Sequence, residues 1–270
     1  MAGHRGMLGH VVARYFAEQG HAVRTSDARY TGAPRDALIE AICASDARCV
    51  LNCLGRVPQR GAEPGDLERS NARFPLQLAA RLRPDQLLIH ASSDGVFAGT
   101  RGGYRVDEEP DAKDAYGASK RAAEGVAERP NAVVVRCSMV GPDPIGRRGL
   151  LAWFLAQPSD APVPGDTNHF WNGITTLEWA RIAEELITRW LAGGSPPRIE
   201  QPGTEVISKY DLLCAFRDVW ATSHRVHPVV APQGRDLSLV PTSHRGEITE
   251  LLRGLAEWSS ASRPISVPRE

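Results

Sequence analysis

The sequence predicts an α/β fold: a doubly wound parallel sheet with helices on both faces, joined to a smaller, interleaved C-terminal lobe. Three observations carry this prediction. Short apolar runs alternate with amphipathic helical stretches through the first half, which is the rhythm of βαβ units. Glycines at 3, 6 and 9 open the first helix, the kind of turn at which open parallel sheets hold ligands. After Gly141 the rhythm stops, and Pro-containing loops and longer helices follow. The chain therefore divides into 1–140 and 141–270.

The elements follow in order. Residues 10–19 form an amphipathic helix that ends at Gly20, and His21-Ala22-Val23-Arg24 is a short strand. Residues 37–44 read as helix and 49–54 as a buried strand. A long helix over 67–82 is interrupted near Pro75, where an N–H is missing. Leu87-Leu88-Ile89-His90-Ala91 is an apolar strand, and a helix carrying Tyr116 runs to about Arg129. Residues 132–136 are the next strand. In the second part, 149–157 is helical and 158–166 is a Pro-rich loop. Helices over 175–191 and 208–220 open at Thr175 and Ser208, residues suited to capping. The tail from Ser259 is polar and loose. No internal repeat is present.

Tyr116 and Lys120 stand four residues apart, so they share one helix face. An ammonium beside a phenol favours the phenolate, and free phenol has a pKa of about 10. Such a pair suits proton donation near neutral pH. Taken alone the spacing is weak, since most instances are solvated helix surface. Here Ser92-Ser93-Asp94 lies just upstream at a strand's carboxyl end, where a hydroxyl can hold a carbonyl oxygen. The combination points to carbonyl reduction.

Composition narrows the alternatives. With 32 basic and 32 acidic residues the formal net charge is zero, so nothing points to nucleic acid. No apolar run is long enough for a membrane span, and no secretory leader is evident. The five cysteines and eight histidines show no metal-ligand spacing, so no metal is expected. An odd cysteine count speaks against a full disulfide set. A cytoplasmic setting is the expectation.

Small residues at Gly3, Gly6 and Gly9 let backbone approach a pyrophosphate at a helix N-terminus. Arg5, Met7 and Leu8 lie in the same loop. Asp27, after the next strand, is spaced to take the adenosine ribose hydroxyls or to be a solvated turn residue. Arg5, Arg24 and Arg29 are available to neutralise a 2′-phosphate, so NAD and NADP both stay open. Asn52 and Gly55 end a strand and either line the cofactor or make a turn, and Cys53 and Leu54 between them are read as cofactor-binding. A strand should precede the glycine loop, yet only Met1-Ala2 does. That gap makes a start upstream of Met1, or a rearranged homologue with weakened cofactor binding, the expectation.

Gly3 to Gly9, Ser92 to Phe97 with Gly99, Tyr116 to Lys120, Arg136-Cys137-Ser138, Phe170 to Thr176 and Ile207 to Tyr210 together resemble the extended short-chain dehydrogenase/reductases. Within them they are similar to the branch of dTDP-4-dehydrorhamnose reductases, over about residues 3–220. The resemblance implies a Rossmann-type dinucleotide-binding part, NAD(P)H and a nucleotide-linked 4-keto sugar. It assigns the catalytic hydroxyl to Ser93, the proton donor to Tyr116 and the hold on the nicotinamide ribose to Lys120. Asp94, Gly95, Val96, Trp153, Phe170 and Asn172 fall on the substrate side. Gly95 stands where many relatives carry tyrosine. Trp153, Phe170 and Trp171 either stack on sugar or base or belong to a core, and Asn71 reads as structural. A homodimer is consistent with the resemblance.

Rival readings are a sugar-nucleotide 4-epimerase, which would keep its NAD bound, and a non-catalytic homologue. A dehydratase is disfavoured because Gly95, not a glutamate, follows Asp94.

Overall fold

The computed structural model describes residues 1–58, 61–144, 149–159 and 161–261. Its central sheet is parallel, with strands Cys49–Asn52, Leu87–Ala91, Ala132–Val135 and Ile199–Glu200 side by side in that order. Successive side chains point to opposite faces, and the apolar runs serve both. Leu51, Leu87, Ile89, Val133 and Val135 meet helices Met7–Glu18 and Thr176–Leu191 through Leu8, Val12, Phe16, Trp179 and Ala183. Val50, Leu88, Ala132 and Val134 meet helices Ala37–Ala44 and Phe74–Arg81 through Leu38, Ile42, Phe74 and Leu78. Two cores back to back explain why the strands lack polar alternation. The predicted doubly wound sheet is present.

Three elements depart from the sequence reading. His21–Arg24 forms no strand. No strand among the described residues pairs with it, and the neighbouring Ala2 makes only an isolated bridge to Asn52. Ala2 N–H donates to Leu51 O and Ala2 O accepts from Cys53 N–H, each at 3.0 Å, while Met1 N bonds Arg24 O. Beyond those bonds a groove of about 620 Å³ runs between Val23–Ser26 and Cys49–Leu51. The second departure is Pro162–Asp166, read as loop, which is a strand parallel to Arg225–Val229. Prolines are tolerated there because this pair is only two strands wide. Third, the helix near Pro75 is interrupted by a wide π-helical stretch, Glu68–Arg73, before Phe74–Arg81.

Leu151, Phe154, Val163, Leu213, Phe216 and Leu252 of the second part pack a further core together with Val140. Ile199–Glu200 joins the central sheet beside Ala132–Val135. Thr175 and Ser208 cap their helices as read, Ser208 in a complete capping box with Asp211. The helix Ile248–Ser260 runs past Ser259, where a loose tail was expected to begin, and residues 262–270 lie outside the described residues. None of the described helices is long and apolar enough to cross a membrane.

Candidate active site

The strand Leu87–Ala91 ends beneath Ser92-Ser93-Asp94, and the helix Ala115–Ala123 lies across that end. Asp114 caps the helix, accepting from the Tyr116 and Gly117 N–H groups at 3.1 and 3.0 Å. Gly117 is required for the approach: a Cβ there would overlap the Gly95 carbonyl. Asn71 fastens the far side, bonding Arg56 through backbone N–H and C=O and Ser119 through its hydroxyl. Ser93 and Tyr116 are thereby brought together. A methyl group on Gly95 would sit 3.3 Å from Ser93 Oγ and 3.1 Å from Tyr116 Cε1. A side chain at this position would therefore press on both reactive groups.

The electrostatics differ from the simple expectation that Lys120 primes the phenol. Burial pushes Tyr116 up to about 12, the Ser93 hydroxyl pulls it down, and Asp94 and Asp114 push it further up. Lys120 is turned to the Ala91 carbonyl, to which Nζ donates at 3.0 Å. Burial lowers its own pKa to about 8, opposed first by Glu124. Tyr116 is therefore held protonated across the physiological range, the state a proton donor needs.

Asp94 is 6% exposed and accepts from Ser93 Oγ at 3.0 Å. Burial raises it to about 6, partly offset by Ser93, the Gly95 N–H, Arg235 and Ser138. A carboxyl raised in the folded state holds its proton between pH 3.8 and about 6 while the unfolded chain has lost it. Stability from this group therefore falls as pH climbs through that window. Asp94→Asn is expected to stabilise the protein at pH 7.5, on the order of 2–3 kcal/mol, and hardly at pH 4. Urea midpoints at the two pH values check this, and equal changes at both would contradict it.

Two cavities meet at Ser93 and Tyr116. One, of about 650 Å³, runs from Gly6, Met7 and Leu8 past Cys53, Leu54 and Gly55 to Lys120, Cys137 and Trp153. The other, of about 970 Å³, is walled by Asp94, Gly95, Gly99, His169, Gln233 and Arg235. The helix Met7–Glu18 opens on the first cavity with no side-chain cap on its N–H groups, which leaves them for an anion. Gly3, at φ +82°, and Gly9 do not line it; they build it. A Cβ on Gly3 would lie 2.5 Å from Leu54 N, and one on Gly9 would overlap the Gly3 carbonyl. The loop thus fits a dinucleotide.

Other predicted residues fall elsewhere. Arg5 and Asp27 stand beside the loop as an exposed pair, Arg5 Nη2 lying 2.5 Å from Asp27 Oδ1, with His4 at 3.4 Å. Asn52 is fully buried, donating to His90 Nδ1 and accepting from Leu54 N–H; it makes the turn. Val96 is buried with Phe97, Tyr104 and Leu239, so it is core and not substrate lining. Asn172 is spent on Leu239, accepting its N–H at 2.9 Å and donating to its C=O at 2.8 Å. Phe170 is 40% exposed and lies outside both cavities. Trp153 lines the first cavity, on the dinucleotide side. Ser138, His169, Gln233 and Arg235 were not anticipated. Ser138 had a signal in the Arg136-Cys137-Ser138 match; the other three come from distant chain with no local pattern.

Fold and site define an extended short-chain dehydrogenase/reductase architecture: a doubly wound sheet, a glycine turn at its first helix, and Ser, Tyr and Lys at one strand end. Residues 1–147 match the family described as the RmlD substrate binding domain, and the chain belongs to that family. It is 32% identical over 159 residues to a probable low-salt glycan biosynthesis reductase, Agl14, of Haloferax volcanii, covering 52% of each chain. It is 33% identical over 148 residues to the dTDP-4-dehydrorhamnose reductase of Mycolicibacterium smegmatis, covering 52% of this chain and 45% of that one. The chain thus spans about half the length of the curated relatives it matches. Among solved structures, the dTDP-4-dehydrorhamnose reductase of Bacillus anthracis in complex with NADP superposes with a TM-score of 0.81. Its identity is 15%, over 95% of this chain and 97% of that one. RMD from Pseudomonas aeruginosa complexed with NADPH gives 0.70 at 17% identity, over 96% and 98%. These likenesses are of fold.

Proposed function

We propose that the protein reduces the carbonyl of a nucleotide-linked 4-keto sugar with NAD(P)H. One observation carries this reading: Ser93 and Tyr116 stand where a cavity that reaches the glycine turn joins a second cavity bearing Asp94, His169, Gln233 and Arg235. NAD(P)H, when bound, supplies the hydride. The uncapped N–H groups after Gly6 hold its pyrophosphate, and Lys120 holds the nicotinamide ribose. The Ser93 hydroxyl donates to the substrate carbonyl oxygen, and Tyr116 gives its proton as the alkoxide forms. Arg235, whose stem packs over Gly99, offers a guanidinium to the diphosphate of the sugar nucleotide. The cofactors and activities named for relatives support the reading. Arg5 on Asp27 favours neither NADH nor NADPH outright, so both are expected to serve.

A cytoplasmic setting and a homodimer belong to the same reading. The five cysteines are free thiols, which suits a reducing compartment, and sedimentation of the purified protein checks the dimer. The reaction is tested by NADPH absorbance with dTDP-4-dehydrorhamnose: steady, substrate-dependent oxidation is expected. No oxidation with either dinucleotide, while both bind, would favour a non-catalytic binding role.

A further inference from the structure

Behind the reactive trio lies a polar cluster that the chemistry above leaves unused. Glu124, one helical turn beyond Lys120, is 9% exposed, and Arg136, at the end of the next strand, is 1% exposed. Glu124 Oε2 accepts from Arg136 Nη2 at 2.6 Å, and Oε1 accepts from Arg136 Nε at 3.0 Å. The same Oε1 also accepts from Ser92 Oγ at 2.7 Å. Arg136 Nη1 continues to Gln201 Oε1 and the Val106 carbonyl, and Gln201 bonds the carbonyls of Tyr104 and Val240. Every oxygen of the carboxylate is therefore used.

Such a pair is costly to desolvate, and an apolar replacement is often equally stable, so stability alone does not account for it. Its position is specific. Ser92 sits between Ala91, whose carbonyl receives the Lys120 ammonium, and Ser93. The Glu124–Ser92 bond therefore ties the strand end to the helix that carries Tyr116 and Lys120. Glu124 stands four residues after Lys120, and its charge is the first that opposes the lowering of the buried ammonium's pKa, ahead of the thiols of Cys53 and Cys137, while the ammonium in turn acts on the buried imidazole of His90.

We infer that Glu124, held by Arg136, is a positioning residue for the Ser93–Tyr116–Lys120 trio: it fixes the spacing of strand end and helix and keeps Lys120 charged. This rests on the proposed reduction, but it has a test of its own. Lys120 is titrated by NMR of 13C-lysine-labelled protein without cofactor or substrate, in wild type and Glu124→Gln. Glutamine keeps the shape, and its Oε1 can still accept from Ser92, but it loses the charge and the oxygen that accepts from Arg136 Nη2. Lys120 is expected to titrate about one pH unit lower in the variant. With substrate, the alkaline limb of the kcat profile moves down by the same amount, kcat at pH 8 falls about tenfold, and KM barely changes. An unmoved Lys120 titration overturns the inference even where the wild type turns over; a moved titration in a wild type without turnover leaves the pair standing and removes the reaction. Should Glu124→Gln fail to fold, Ser92→Ala removes the tie without touching a charge. It is expected to lower kcat about tenfold at constant KM, and an unchanged kcat overturns the positioning role.

Discussion

Replacing Tyr116 by phenylalanine lowers kcat by about 10²–10⁴-fold, the usual contribution of a placed proton donor, and leaves the fold in place. The ring keeps its packing, and only the hydroxyl and its bond to Ser93 are lost. One such bond is worth about 1 kcal/mol, which in a chain of this length moves Tm by about 2–4 °C. Dinucleotide binding persists, since Lys120 is held by the Ala91 carbonyl and not by the phenol. Steady-state kinetics beside a thermal melt and a fluorescence titration with NADPH separate the effects. A variant that retains wild-type turnover would remove Tyr116 from the chemistry. One that loses NADPH binding would make the phenol a structural prop instead.

Gly9→Ala has the second large effect, for a different reason. The added methyl group meets the Gly3 carbonyl oxygen, carbon and the His4 Cα, all closer than 3.0 Å and all backbone. The overlap cannot be relieved by turning a side chain, so the loop must move away from the helix. That movement displaces the N–H groups that would receive a pyrophosphate. NADPH affinity is expected to fall at least about 100-fold, with about 1–3 kcal/mol of stability lost to overpacking. Gly65→Ala is the control, because a Cβ there meets nothing within 4 Å. An alanine at position 9 that binds NADPH normally would mean the glycine turn is not the pyrophosphate site.

The sequence exposed those parts of the site that a local pattern encodes. Ser93 was legible because an apolar run ends just before it. Tyr116 and Lys120 were legible because four-residue spacing puts them on one helix face. The sheet was legible because its strands are apolar on both faces. What failed depended on contacts between distant segments. The family resemblance put Val96 and Asn172 on the substrate side, but each side chain turns inward, one to Phe97 and Tyr104, the other to Leu239. Residues 21–24 have strand composition, yet a strand needs a ladder, and no strand among the described residues pairs with them. Arg235 joins the site across more than a hundred residues, through the pairing of Arg235–Asp236 with His169–Phe170, and no window of sequence contains that. The acidity of the phenol was misjudged for a related reason. The partner four residues away is aimed at the strand end, and burial outweighs it.

The claim at the centre is that a hydride reaches a sugar carbonyl held by Ser93 and protonated by Tyr116. It is tested most directly by running the reaction with NADPH deuterated at the transferable position and examining the product by NMR. Deuterium at carbon 4 of the sugar, in proportion to NADPH consumed and absent with Tyr116→Phe, is the predicted result. A sugar carrying no deuterium, or labelled equally well by the phenylalanine variant, would contradict the account.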